Sequence, residues 1–321
     1  MTTPKVSILI PTYNYARYLP EAIESILGQD FRDFELLISD DCSTDNSAEV
    51  IARYAAKDNR IRFQIQPVNL GVVQNLDWCL AQARGEYVKF ICGDDKLLSP
   101  TAIRQMANLM ESDPAISLVA SASLVIDAHS RVIDARNHSR RGVHDGKKTI
   151  VRCLERPPNL IGEPTVVMFR KGHGARGYNT RYRQLLDLEM WFHLLEDGKF
   201  GYLDEPLCAF RKHALQQTNV NRTSGQADDE ILWLVEEYIS KPWLCKMDVQ
   251  QILFAQIYWF RKSPAARTSA AFGKMKLKLG SGWYAACWLH YKITRPFLNL
   301  QSSLKKRLTL LKYKHQPSTP C

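Results

Sequence analysis

Two hydrophobic rhythms alternate along the first 126 residues. Near-continuous apolar runs at Val6–Ile10, Phe34–Ile38 and Tyr87–Cys92 have the pattern of strands buried on both faces. Ile61, Phe63 and Ile65 alternate as a further strand, and Ser117–Ile126 forms another apolar run. Between these runs the spacing becomes helical. Pro20 opens a segment carrying Ala22, Ile23, Ile26 and Leu27 on one face, and Ser43-Thr44-Asp45 caps one carrying Val50, Ile51 and Tyr54. Helices are also predicted from about Val72 to Ala83 and from Ser99-Pro100 to near Ser112-Asp113-Pro114. Strand–helix alternation at this spacing predicts an α/β fold, with a mostly parallel sheet flanked by helices. Ligands of such sheets bind beyond the carboxyl ends of the strands. Three strands end in polar groups, Pro11-Thr12-Tyr13-Asn14, Ser39-Asp40-Asp41 and Gly93-Asp94-Asp95, which are expected to share one rim.

The second half is less regular. Residues 128–148, rich in His, Arg and Lys, are predicted to form a mobile surface loop or an excursion beside the rim. A strand at Thr165–Phe169, a helix at Asp187–Glu196 and a short strand at Phe200–Leu203 follow, and beyond about Ser224 the pattern is helical. These changes predict an α/β domain over 1–225 and a helical, basic extension over 226–321.

Charge sharpens that division. The net charge is +10, yet residues 1–230 hold 28 lysines and arginines against 30 aspartates and glutamates, and residues 231–321 hold 15 against 3. Such asymmetry signals a partner rather than a fold. In Pro296–His315, Phe297, Leu300, Leu304, Leu308 and Leu311 fall within roughly an 80° arc at helical spacing. Lys305, Lys306, Arg307, Lys312 and Lys314 lie off it. This basic amphipathic pattern, with Trp283, Tyr284, Trp288 and Tyr291, suits residues 261–315 to an anionic membrane surface. Packing against the first domain is the competing reading. No nucleic-acid-binding module is recognisable, so nucleic acid is not an expected partner. The eight cysteines show no paired spacing, no apolar run reaches a bilayer span, and Met1–Pro4 lead straight into a strand pattern. A reduced, cytoplasmic protein is therefore expected, with the tail at the inner face of the cytoplasmic membrane.

The chemistry concentrates at Asp94-Asp95. Two adjacent carboxylates at a strand end repel unless a cation lies between them, and hard divalent ions such as Mg²⁺ and Mn²⁺ prefer carboxylate and phosphate oxygens. A solvated turn is the bland alternative for an isolated pair.

The remaining motifs weigh against that alternative. Val6–Asn14, Phe34–Asp45, Asn69-Leu70-Gly71, Ala83–Val88 and Gly93-Asp94-Asp95 together resemble the inverting family 2 glycosyltransferases of GT-A (Rossmann-like) fold, over roughly residues 4–218. The resemblance implies a metal-dependent enzyme that moves a sugar from a nucleoside-diphosphate sugar, UDP- or dTDP-linked, with inversion, and a cofactor of Mn²⁺ or Mg²⁺. It implies Pro11, Thr12 and Tyr13 around the nucleobase, Asp41 accepting the uracil N3–H, and Asp40 supporting the loop. Asp94 is implied at the ribose or metal, Asp95 at the metal, and His213 of Arg211-Lys212-His213 near the metal or diphosphate. Asp187 falls where the family carries its general base, with Glu189 in reserve. Glu163-Pro164-Thr165 and Gly172–Gly177 would border the acceptor, the latter as a flexible connection with Arg176 a candidate phosphate contact. Gly93 replaces the commoner acid or serine of the family motif, leaving open which carboxylate coordinates directly. The implied acceptor is a glycan or lipid-linked glycan of cell-surface polysaccharide. Two rival classes remain at this point, a non-catalytic nucleotide-sugar-binding scaffold of the same fold and a peripheral membrane adaptor acting through its tail; Asp187 favours the enzyme.

Overall fold

A computed structural model of the chain describes residues 3–155, 159–214, 216 and 226–260, with the isolated positions 277, 279, 282 and 289. The chain divides into two compact units, Met1–Gly146 with Ile161–Ala214, and Lys147–Leu160 with Leu215–Cys321. The break thus follows Ala214 rather than residue 225, and an internal segment joins the second unit. That segment carries most of helix α5 (Gly146–Glu155), whose Leu154 carbonyl accepts a hydrogen bond from Gln256 on helix α8 (Lys246–Phe260). Helix α7 (Gln226–Ile239) precedes α8. The amphipathic stretch Pro296–His315 lies outside the described residues.

The first unit is built on one sheet. Its strands are β1 (Val6–Thr12), β2 (Phe34–Asp40), β3 (Ile61–Ile65), β4 (Tyr87–Phe90), β5 (Lys96–Leu97), β6 (Ile116–Ile126), β7 (Val132–Arg136), β8 (Gly142–Asp145), β9 (Val167–Arg170) and β10 (Lys199–Arg211). Helices α1 (Leu19–Leu27), α2 (Ser47–Ala55), α3 (Val72–Gln82), α4 (Ala102–Glu111) and α6 (Leu186–Glu196) complete it. The order across the sheet is β3-β2-β1-β4-β9-β6-β10-β5. Strands β3, β2, β1 and β4 are parallel neighbours, as are β6 and β10, while β9 runs against both β4 and β6. Every residue of β2, β4 and β6 is buried, as covering both faces of a sheet requires. Because β2, β1 and β4 are adjacent and parallel, their polar carboxyl ends do share one rim.

Two expectations are corrected. Residues 128–148 are not a mobile loop: β7 pairs with β6, β8 pairs with β10, and α5 begins at Gly146. These short strands bury little, so their apolar alternation is thin and the charged residues dominate the pattern. The short strand expected at Phe200–Leu203 is a 13-residue strand, Lys199–Arg211, that passes through Asp204-Glu205-Pro206. Its pairing with β6 shifts register on either side of Pro206, where the missing N–H is tolerated. The extra length carries Arg211 to the rim.

Candidate active site

The rim is assembled by turns that brace one another. Thr12 pairs with Asp40 in register, and Asp41 N–H donates to the Thr12 carbonyl at 2.9 Å. Beyond the strands, Asn14 and Cys42 adopt φ of 56° and 61°. Asn14 N–H donates to Ser43 Oγ, and Thr44 N–H donates to Asn14 Oδ1, both at 2.8 Å, so the β1 and β2 turns are stitched together. Asp40 is fully buried and accepts Ser43 N–H at 3.0 Å and Ser43 O–H at 2.5 Å. Burial pushes its carboxyl up, against the pull of those two bonds. Its role is loop support, as its place beside Asp41 suggested.

Asp41 explains the Asn69-Leu70-Gly71 motif. Its two carboxylate oxygens accept Leu70 N–H at 2.6 Å and Gly71 N–H at 2.9 Å, and its carbonyl accepts Asn69 Nδ2 at 3.1 Å. Gly71 holds φ of +80°, a conformation that favours glycine. Each carboxylate oxygen has a second lone pair, so Asp41 retains acceptor capacity. Tyr13 is 44% exposed on the rim, while Thr12 is buried with an Oγ1 that has no hydrogen-bond partner among the described residues.

Gly93 is a steric requirement of this architecture. A Cβ there would stand 2.6 Å from Thr12 Oγ1, 2.9 Å from Thr12 Cβ and 3.2 Å from Tyr15 Cδ2. Thr12 and Tyr15 occupy the space that the family's commoner acid or serine would use, which accounts for the Gly-Asp-Asp form.

Asp94 and Asp95 are both buried, Asp95 to 1% exposure. Asp95 accepts Thr165 Oγ1–H at 2.5 Å and Arg211 N–H at 2.7 Å. Burial, reinforced by the neighbouring Asp94 carboxylate, pushes its carboxyl well above the usual range. Asp94 Oδ2 lies 2.9 Å from His213 Nε2, and the His213 ring packs against Tyr15 and Tyr18 with centroids 5.6 and 5.1 Å away. Cys92 joins the group, one potential ligand atom each from Cys92, Asp94 and Asp95 lying within 4.8 Å of one another. Burial and then the Asp95 charge push the Cys92 thiol up, so it stays protonated and offers a hard cation little. Two buried carboxylates that cannot ionise cheaply together, with an imidazole alongside, fit a divalent hard cation that would supply the missing positive charge.

One supporting residue, Lys89, carries no motif in the sequence, and Thr165 and Arg211 take supporting roles that their motifs did not imply. Lys89, fully buried on β4, donates to the Thr165 carbonyl and to Phe90 O at 3.3 Å; burial pushes its pKa down. Thr165 also accepts Cys92 N–H at 3.2 Å. It therefore braces the carboxylate pair rather than simply bordering an acceptor. Arg211 is buried, donates from Nε to the Asp94 carbonyl at 2.6 Å, and lies over the Tyr18 ring.

Asp187 is half-buried in the first turn of α6, where Oδ1 accepts Leu188 N–H at 2.7 Å. Burial, and then the Asp187 and Asp77 charges, push up Tyr178, whose buried hydroxyl has no hydrogen-bond partner among the described residues. The Tyr178 ring packs edge-on against Phe90 at the end of β4, with centroids 6.1 Å apart. Glu189 is committed elsewhere: both its oxygens accept Arg176 Nη2, at 2.9 and 2.8 Å, and it is buried. That ion pair removes Glu189 as the reserve base and occupies Arg176, the candidate phosphate contact. The expected flexible connection at Gly172–Gly177 instead begins within a 3₁₀ turn, Lys171–Gly174.

A carboxylate-lined rim on this sheet is the architecture of a glycosyltransferase of GT-A fold. The chain belongs to the family Glycosyl transferase family 2, matching it over residues 7–172. It is similar to the putative teichuronic acid biosynthesis glycosyltransferase TuaG of Bacillus subtilis (strain 168), at 27% identity over 261 residues, 80% of this chain and 92% of TuaG. Its fold is similar to that of S. aureus TarS 1-349 in complex with UDP-GlcNAc, with a TM-score of 0.66 at 18% identity over 86% of this chain and 82% of that one. It is also similar to the mannosyltransferase PcManGT from Pyrobaculum calidifontis in complex with GDP-Man and Mn²⁺, with a TM-score of 0.57 at 17% identity over 98% and 89% of the two chains.

Proposed function

We propose that this glycosyltransferase inverts configuration at the sugar it moves from a UDP- or dTDP-linked donor, with Asp187 as general base. The observation that carries the reading is the convergence of Asp94, Asp95 and His213 at the carboxyl rim of β1, β2 and β4. Asp94, Asp95 and His213 would hold Mn²⁺ or Mg²⁺, which when bound neutralises charge on the departing diphosphate. Asp41 accepts the nucleobase N–H, Tyr13 offers an aromatic face, and Thr12 lies beneath them. Asp187 takes the proton of the acceptor hydroxyl as that oxygen attacks the anomeric carbon opposite the diphosphate. UDP-GlcNAc in the TarS complex and Mn²⁺ in the PcManGT complex support this reading; GDP-Man in the latter makes the base a matter for direct assay. The test is a panel of UDP-, dTDP- and GDP-sugars scored for nucleoside diphosphate release with and without Mn²⁺. Release from no donor, or release indifferent to metal, would overturn the reading.

Asp41→Ala is expected to weaken UDP binding by about tenfold, or about 1.4 kcal/mol, and to act on the nucleotide more than on the sugar. Unchanged affinities for UDP, dTDP and GDP in a calorimetric titration would remove Asp41 from the site.

The acceptor is a glycan or lipid-linked glycan of surface polysaccharide, a reading supported by the teichuronic acid assignment of TuaG. On this reading the protein works in the cytoplasm, with residues 261–315 on the anionic inner face of the membrane. Among the described residues no helix is long and apolar enough to cross a membrane. Removing Pro296–Cys321 should abolish binding to phosphatidylglycerol vesicles at low salt and spare turnover of a water-soluble acceptor. Intact protein that ignores such vesicles would contradict the membrane assignment.

A further inference from the structure

Glu21 belongs to no motif, yet α1, β5, the β6–β7 turn and β10 all meet at its carboxylate. Lys96, which directly follows Asp95, forms an ion pair with one of its oxygens, and Arg211 Nη2 pairs with the other. Ser130 Oγ lies 2.8 Å from both oxygens and donates to them. Ser130 holds φ of 62° in a turn where its N–H donates to Asp127 O at 3.1 Å, and its Oγ accepts Arg211 Nη1 at 2.9 Å. Burial alone would raise the Glu21 carboxyl, but the bonds from Lys96 and Ser130, with the Arg211 charge, hold it below the usual range.

The two cations that Glu21 gathers flank the paired aspartates. Arg211 holds the Asp95 side chain through its backbone N–H and the Asp94 backbone through Nε, at 2.7 and 2.6 Å. Lys96 is covalently next to Asp95. A buried guanidinium such as Arg211 stays in place only while its charge is compensated. We propose that Glu21 is a positioning residue for the divalent cation, setting the aim of the Asp94 and Asp95 carboxylates by anchoring Arg211 and Lys96. This rests on the metal assignment proposed above. Groups that orient metal ligands typically alter metal affinity 10–100-fold when lost. Glu21→Gln keeps the size of the side chain and an acceptor for Ser130, but turns a neutral amide toward two cations.

The test is an electron paramagnetic resonance titration of Mn²⁺ into the full chain with saturating UDP, alongside thermal unfolding. Glu21→Gln should weaken Mn²⁺ binding by about tenfold, Glu21→Asp should fall between it and the wild type, and both should remain folded. UDP affinity without metal should not change. A residue that only stabilises the fold would lower the unfolding temperature and leave the Mn²⁺ titration where it was. Should Glu21→Gln fail to fold, Lys96→Met removes one anchor while Arg211 stays paired, and a smaller weakening in the same direction is expected. Equal Mn²⁺ affinity in wild type and folded variants overturns the inference. A wild-type chain that binds no Mn²⁺ overturns the metal assignment itself, a separate result.

Discussion

Asp187→Asn is expected to lower kcat by at least about 100-fold, the usual scale for a lost general base, with the donor KM little changed. The substitution keeps the volume of the side chain and leaves an oxygen to accept Leu188 N–H, so the first turn of α6 retains its local bond. What disappears is a group that can take the acceptor proton. Glu189 offers no substitute, because it is buried against Arg176. The result should therefore separate chemistry from binding: single-turnover rates collapse while UDP-sugar affinity stays near the wild-type value. If donor affinity falls in parallel with turnover, Asp187 belongs to the ligand shell and the base lies elsewhere.

Asp95→Asn is expected to leave less than about 1% of transfer activity and to remove metal-dependent donor binding. The fold should survive, because the carboxamide oxygen can still accept Arg211 N–H and the Thr165 hydroxyl can reorient. Removing one of two adjoining buried acids also relieves their mutual repulsion, so the unfolding temperature should not drop. Thermal unfolding and Mn²⁺ binding measured on the same preparation distinguish this from simple destabilisation. Full turnover by Asp95→Asn in Mn²⁺-free buffer would sink the assignment.

Much of the sheet was legible because β1, β2, β4 and β6 are buried on both faces and read as near-continuous apolar runs. Their polar carboxyl ends followed from parallel topology alone. The partners of those ends were not legible. Thr165 is 70 residues from Asp95 and Arg211 is 116 residues away, and their contacts depend on how β9 and β10 join the sheet. The reach of β10 was hidden by Pro206, which reads as a strand end unless the bulge around it is known. Glu21 carries no signal in the sequence, because only the tertiary fold brings Lys96, Ser130 and Arg211 to it. Arg176 and Glu189 were separate candidates in the sequence and are one ion pair in the structure, across a spacing of 13 residues that no local rule connects.

In-line transfer with a single carboxylate base fixes the anomeric configuration of the product. Proton NMR of the first-formed product from an α-linked UDP- or dTDP-sugar reads that configuration from the anomeric coupling. Wild-type enzyme is expected to give a β-linked product, with a proportionate loss of that product in Asp187→Asn. An α-linked product would contradict in-line transfer.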